Sequence, residues 1–138
     1  MIGIVIVAHG GLAREYLAAM EHVVGPLQNV RTITIEGDHD RRAKSQEIII
    51  AANEVDTGDG VVVVTDLFGG SPSNLSLPAC AVHDRVILYG ANLPMLVKLA
   101  KLRHLPANEA AARAAEAGRK YIDSRIVFDE GLQYKAMQ

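Results

Sequence analysis

Apolar residues fall into two recurring patterns along this chain: short unbroken runs, and stretches where they return every three or four positions. The run Ile2–Ala8 has strand length and no polar interruption, which predicts a strand covered on both faces. Ala13–Val24 then carries Tyr16, Leu17, Met20, Val23 and Val24 at helical spacing. Gly25-Pro26 ends that helix, because glycine suits a cap and proline cannot continue the ladder. Val30–Glu36 alternates, Val30, Thr32 and Thr34 against Ile33 and Ile35, as a strand does near a sheet edge or with one more exposed face. A second helix is predicted over Asp40–Val55, with Asp38 or Asp40 as its N-cap. Gly60–Asp66, built on four consecutive valines, reads as another doubly buried strand.

Beyond it, Gly69–Asn74 forms a loop into a short helix that Pro78 shortens or bends. A strand over Arg85–Tyr89 leads through Gly90-Ala91-Asn92 to a helix over Leu93–Leu102. An alanine-rich helix starts near Asn108, with Glu109/Arg113 and Glu116/Lys120 spaced as i,i+4 pairs. Its small residues permit close packing on the sheet, and Ser124–Phe128 can add one short final strand. In the Leu93–Leu102 helix, Leu93, Leu96, Val97 and Ala100 form one stripe. Met95, Leu99 and Leu102 extend around it, toward either another subunit or partner protein or the interior of the same subunit. Strands alternating with helices predict an α/β fold: an open, doubly wound, mainly parallel sheet of order 2-1-3-4 with helices on both faces. Residues 1–130 make one domain and 131–138 a tail.

Two of these strands stop on polar residues, the first at His9 and the third at Asp66. In a sheet of this order the two strands are neighbours, and their carboxyl ends meet at the switch point where ligands sit. His9 and Asp66, remote in sequence, then come within reach. A carboxylate that accepts from one imidazole nitrogen fixes the tautomer and leaves the other nitrogen with a free lone pair, a nucleophile or base. The same residues also admit a plainer reading: a satisfied structural histidine in a tight turn, and an aspartate that caps a loop. The loop after Asp66 adds backbone freedom at Gly69 and Gly70. Ser71 is placed as N-cap with Pro72 at the first helical position, so that free N–H groups and the positive helix end face the crevice. An ordinary capped turn would use the same residues.

Composition narrows the choice. Of 138 residues, 49% are hydrophobic and 22% charged, and the net charge is −2. That balance favours a folded globular chain and gives no electrostatic case for nucleic acid or an anionic membrane. Arg41-Arg42 and Lys98/Lys101/Arg103 are the only short cationic clusters, and both read as solvated helix faces. A single cysteine, Cys80, has no intrachain partner and reads as a small core residue. No apolar run approaches the roughly 18–20 residues that span a bilayer. A soluble cytoplasmic domain is the expectation.

Val7-Ala8-His9-Gly10, together with Thr65-Asp66-Leu67-Phe68-Gly69-Gly70-Ser71-Pro72-Ser73-Asn74, resembles the IIA component of the mannose-family phosphotransferase system over about residues 2–130. The resemblance implies that His9 accepts a phosphoryl group from an HPr-like carrier and passes it to a IIB protein or domain, in sugar transport or its regulation. Asp66 then orients and stabilises the ring, and Gly69, Gly70 and Ser71 contact phosphate. It also implies a homodimer in which a C-terminal strand pairs across subunits, a role open to Ser124–Phe128. Contact with a membrane is implied only indirectly, through a permease complex. Several relatives carry Thr-Trp where this chain has Leu67-Phe68. No cofactor and no metal are implied, and no nucleotide-binding lysine motif is present. A receiver domain is disfavoured because His9-Gly10-Gly11 stands where an acidic pair would hold magnesium. A Ser71–His9–Asp66 hydrolase lacks the Gly-x-Ser-x-Gly elbow. A non-catalytic, flavodoxin-like ligand-binding module remains the alternative, although 4% aromatic residues offer few rings to stack on a flavin.

Overall fold

The computed structural model describes residues 1–38 and 40–128. Its sheet consists of β1 (Gly3–His9), β2 (Val30–Ile35), β3 (Val61–Thr65) and β4 (Arg85–Leu88), all parallel and ordered β2-β1-β3-β4. The crossovers run through α1 (Leu12–Val24), α2 (Arg41–Val55) and α3 (Ser71–Ser76) with a 3-10 turn at Pro78–Cys80. Beyond β4 lie α4 (Leu93–Lys101) and α5 (Ala107–Lys120). This is the predicted architecture.

The unbroken apolar runs are explained by helices on both faces. Successive strand side chains point to opposite sides. Ile4, Ile6, Ala8, Val62 and Val64 pack with Met20, Leu96, Leu99 and the alanines of α5. Val5, Val7, Val61 and Val63 pack with Ile48, Ala52 and Val55 of α2 and Leu75 of α3. Each such side chain contributes about 1.5–3 kcal/mol by leaving water. At the sheet edge, Ile33 and Ile35 of β2 are buried while Thr32 and Thr34 are only half-buried, which accounts for its alternation. Asp40 supplies the predicted cap: Ala43 N–H donates to its Oδ1 at 3.1 Å. The helices press close. A Cβ on Gly3 would lie 2.3 Å from the Val55 carbonyl oxygen, and one on Gly118 would lie 3.0 Å from Met95 Cβ.

Three expectations from the sequence change. Met95 and Leu99 are buried within the monomer, against the small residues of α5, rather than offered to another subunit. Ser124–Phe128 is not a strand in this single chain: residues 122–126 have no regular secondary structure, and Val127 and Phe128 are helical. A strand needs a neighbour for its backbone groups, and the outer edge of β4 takes none among the described residues. The remaining residues, 129–138, lie outside the described residues, as do the end of the predicted domain, its tail and His39.

Arg103 is the third. Lys98 and Lys101 are exposed, but Arg103 is only 6% exposed. Its guanidinium donates to the carbonyls of Ile2 (2.9 Å), Asn29 (3.0 Å) and Gln28, and its own carbonyl accepts from Ile2 N–H at 2.9 Å. The chain entering β1 and β2 turns three carbonyls toward Arg103, and one planar fork donates to all of them, although Asn29 also accepts from Ile4 N–H at 3.1 Å. Burial lowers the pKa of this group below the ordinary arginine value. Arg103→Leu should therefore cost about 2–3 kcal/mol in urea unfolding, because the carbonyls lose their donors. Lys101→Ala should stay within about 0.5 kcal/mol. Equal losses for the two would contradict this role.

Candidate functional site

Register delivers the two polar strand ends to one place. Val7 of β1 lies opposite Thr65 of β3, so the next residues on the rim are Ala8-His9 and Asp66. His9 Nδ1 lies 2.9 Å from Asp66 Oδ2, and the His9 backbone N–H donates to that same oxygen at 3.1 Å. Side-chain exposure differs sharply, 50% for His9 and 9% for Asp66. The ring thus faces solvent from a base that is buried.

The carboxylate is held ionised. Burial alone would raise its pKa, but the hydrogen bonds from the His9 ring and backbone N–H, with the charge interaction between them, bring it below the ordinary aspartate value. An ionised carboxylate only accepts, so Nδ1 carries the proton and donates. Nε2 keeps its lone pair and points away from Asp66. Oδ1 of Asp66 is buried and accepts from no described group. Tyr16, half-buried nearby, does not fill that role, since its hydroxyl donates to the Ala91 carbonyl at 3.0 Å. Burial raises the Tyr16 pKa, and the negative charge of Asp66 adds to the rise.

The loop after Asp66 is arranged differently from the predicted cap. Gly70, not Ser71, is the N-cap of α3, so Ser71 is the first helical residue. Gly69 adopts φ +84°, a left-handed conformation suited to glycine. Its N–H donates to Ser73 Oγ at 3.1 Å, so the hydroxyl that closes the turn is Ser73. Ser71 is left to line the site. Its neighbour Gly70 lies beside the histidine, where an added Cβ would sit 3.8 Å from His9 Cε1. All five residues singled out in the sequence, His9, Asp66, Gly69, Gly70 and Ser71, therefore belong to one corner of the sheet. At its tip Leu67 and Phe68 are exposed, and the Phe68 ring meets Tyr89 edge-on at 4.9 Å.

A cleft of about 320 Å³ opens beside the ring, lined by His9, Ile35, Glu36, Gly37, Arg41 and Ser71. Arg41 and Glu36 are functional candidates that the linear pattern misses. The signal was present: β2 is the other neighbour of β1, so the turn after it must wall the His9 rim. No group of three or more histidine, cysteine, aspartate or glutamate side chains among the described residues is placed to hold a metal ion. No helix among them is long and apolar enough to cross a membrane.

Comparison with known proteins places this arrangement. The family model described as PTS system fructose IIA component, EIIA-man, matches residues 3–116. Among curated relatives, YadI of Escherichia coli K12, assigned by name to the phosphotransferase enzyme IIA components, is 28% identical over 126 residues, covering 90% of this chain and 86% of that one. The mannose-specific EIIAB component of the same strain is 30% identical over 122 residues, covering 86% of this chain. This chain spans only 38% of the length of that relative. Among solved structures, the phosphotransferase component EIIA of Streptococcus agalactiae superposes with a TM-score of 0.68 at 28% identity, over 86% of this chain and 95% of that one. The mannose/sorbose-specific IIA subunit of Enterococcus faecalis reaches a TM-score of 0.80 at 22% identity, over 91% and 95%, a likeness of fold. The chain belongs to the mannose-type family of phosphotransferase-system IIA components.

Proposed function

We propose that this chain is a cytoplasmic phosphocarrier whose His9 Nε2 takes a phosphoryl group from an HPr-like protein and yields it to a IIB protein or domain. The observation that carries the reading is the 2.9 Å contact of Nδ1 with Asp66, beneath a half-exposed ring. In the forward step the Nε2 lone pair attacks phosphorus in line. The bond from phosphorus to the donor's leaving atom breaks, and its electron pair stays on that atom. The His9 ring retains its Nδ1 proton and becomes cationic, facing the Asp66 carboxylate. No proton needs to move at His9, so the reverse step runs through the same arrangement.

Positioning accounts for much of the gain in such a relay, since an immobile ring converts encounter into near-attack geometry. Gly69, Gly70 and Ser71 lie on the side of the cleft where phosphoryl oxygens would need donors. The exposed Leu67-Phe68 tip suits contact with a protein donor or acceptor. The edge of β4, unpaired among the described residues, suits a C-terminal segment from a second subunit, with Ser124–Phe128 becoming a strand only on dimerisation. The apolar side chains of that segment, 67–75% exposed at Ile126, Val127 and Phe128 in the monomer, agree with such a partner. Membrane contact would come only through a permease complex, in transport or in its regulation.

Incubated with a phosphorylated HPr-type donor, the protein should acquire one acid-labile phosphoryl group, and His9→Ala should acquire none. Undiminished label on His9→Ala would overturn the proposal.

Asp66→Asn should keep the shape of the site yet slow phosphorylation by roughly 10²-fold, the scale of a lost charge-assisted contact in a transfer site. A rate within twofold of wild type would remove Asp66 from the mechanism.

The same variant tests the electrostatics through acid unfolding. A carboxyl held below its unfolded value of about 3.9 stabilises the fold above that pH. The contribution is lost as pH falls through the lower folded value. Wild type should therefore lose stability more steeply than Asp66→Asn below about pH 4; parallel acid limbs would argue against an ionised Asp66.

A further inference from the structure

Resting on the phosphocarrier reading, we infer that Arg41 binds the phosphoryl group carried on His9 and that its guanidinium makes the cleft able to hold that charge. Arg41 opens α2 and is exposed, and it lines the same cleft as His9 and Ser71. It forms no hydrogen bond or ion pair with any described residue. The carboxylate next to it in sequence, Asp40, is engaged in capping Ala43 N–H. Arg41 is the one fixed cation among the described lining residues, and Glu36 shares the wall. Asp66 lies behind the ring and is engaged with it, so on the described cleft wall Arg41 is the cationic side chain that a phosphoryl group on Nε2 meets. A fixed positive charge on that wall attracts the anionic phosphoryl oxygens.

A guanidinium also suits the geometry. Its planar fork offers paired N–H donors to two phosphoryl oxygens, which a point charge does not. An unengaged side chain at the cleft rim can close on the group as it arrives and release it to the acceptor. Ser71 lines the same space, and its hydroxyl can supply a further donor. In the transfer itself the Nε2–P bond forms, the donor's bond to phosphorus breaks with its electron pair, and Arg41 neutralises charge on the three spectator oxygens without exchanging a proton.

The test uses two donors for wild type, Arg41→Ala and Arg41→Lys: phosphoramidate, which has no docking surface and loses ammonia, and a phosphorylated HPr-type protein. His9→Ala sets the background for each. Arg41→Ala should slow His9 labelling by roughly ten- to a hundredfold with both donors, the scale of a lost charge-assisted hydrogen bond. Arg41→Lys should recover part of the loss, and melting temperatures should be unchanged. Equal rates for wild type and Arg41→Ala would overturn the proposal. A loss confined to the protein donor would overturn it as well, showing that Arg41 docks the partner instead. If wild type itself takes no label at His9 from either donor, the phosphocarrier reading fails, an outcome distinct from indifference at Arg41.

Discussion

Parallel pairing of β1 with β3, in register from Gly3 opposite Val61 to Val7 opposite Thr65, carries both strands to the same rim of the sheet. Both are buried on both faces, so their register is held by packing from two sides as well as by the hydrogen-bond ladder. A slip of one residue would turn every valine to the wrong layer. That constraint turns two residues far apart in the chain into a pair 2.9 Å apart. The chemistry of the site is a consequence of where the apolar runs stop.

Asp66 does two things with one oxygen. Oδ2 accepts from the His9 backbone N–H, which fixes the end of β1, and contacts Nδ1, which fixes the ring. Any rotation of the carboxylate that released the ring would also release the strand end. The ring is thereby tied to the sheet and not to a loop, and the more adaptable parts of the site, the glycine turn and Arg41, are arranged around it. The proposed relay would use this division, with a rigid acceptor and surroundings that admit two different proteins in turn.

Much of the fold was legible because burial on both faces writes itself into uninterrupted valine and isoleucine runs. The edge position of β2 showed in its threonines for the same reason. His9 and Asp66 were legible as the polar residues that end such runs. What stayed hidden depends on neighbours that linear spacing does not reveal. Arg103 looks like Lys101 until the carbonyls of Ile2, Gln28 and Asn29 are brought to it. Met95 and Leu99 look surplus to one helix face until the alanines and Gly118 of α5 admit α4 so closely. Ser71 lost its capping place because the helix begins one residue earlier than its spacing suggests, with Gly70 as the cap. Arg41 entered the site only when β2 was placed beside β1. Ser124–Phe128 has strand composition, but composition does not supply the second backbone that a strand requires.

The central claim is that Asp66 holds His9 as the Nδ1–H tautomer, leaving Nε2 as the reacting atom. Nitrogen-15 NMR of the His9 ring at alkaline pH reads this directly. The account predicts a protonated, carboxylate-bonded Nδ1 and an unprotonated Nε2 in wild type, with the preference weakened in Asp66→Asn. A ring protonated on Nε2 in the wild-type protein would contradict it.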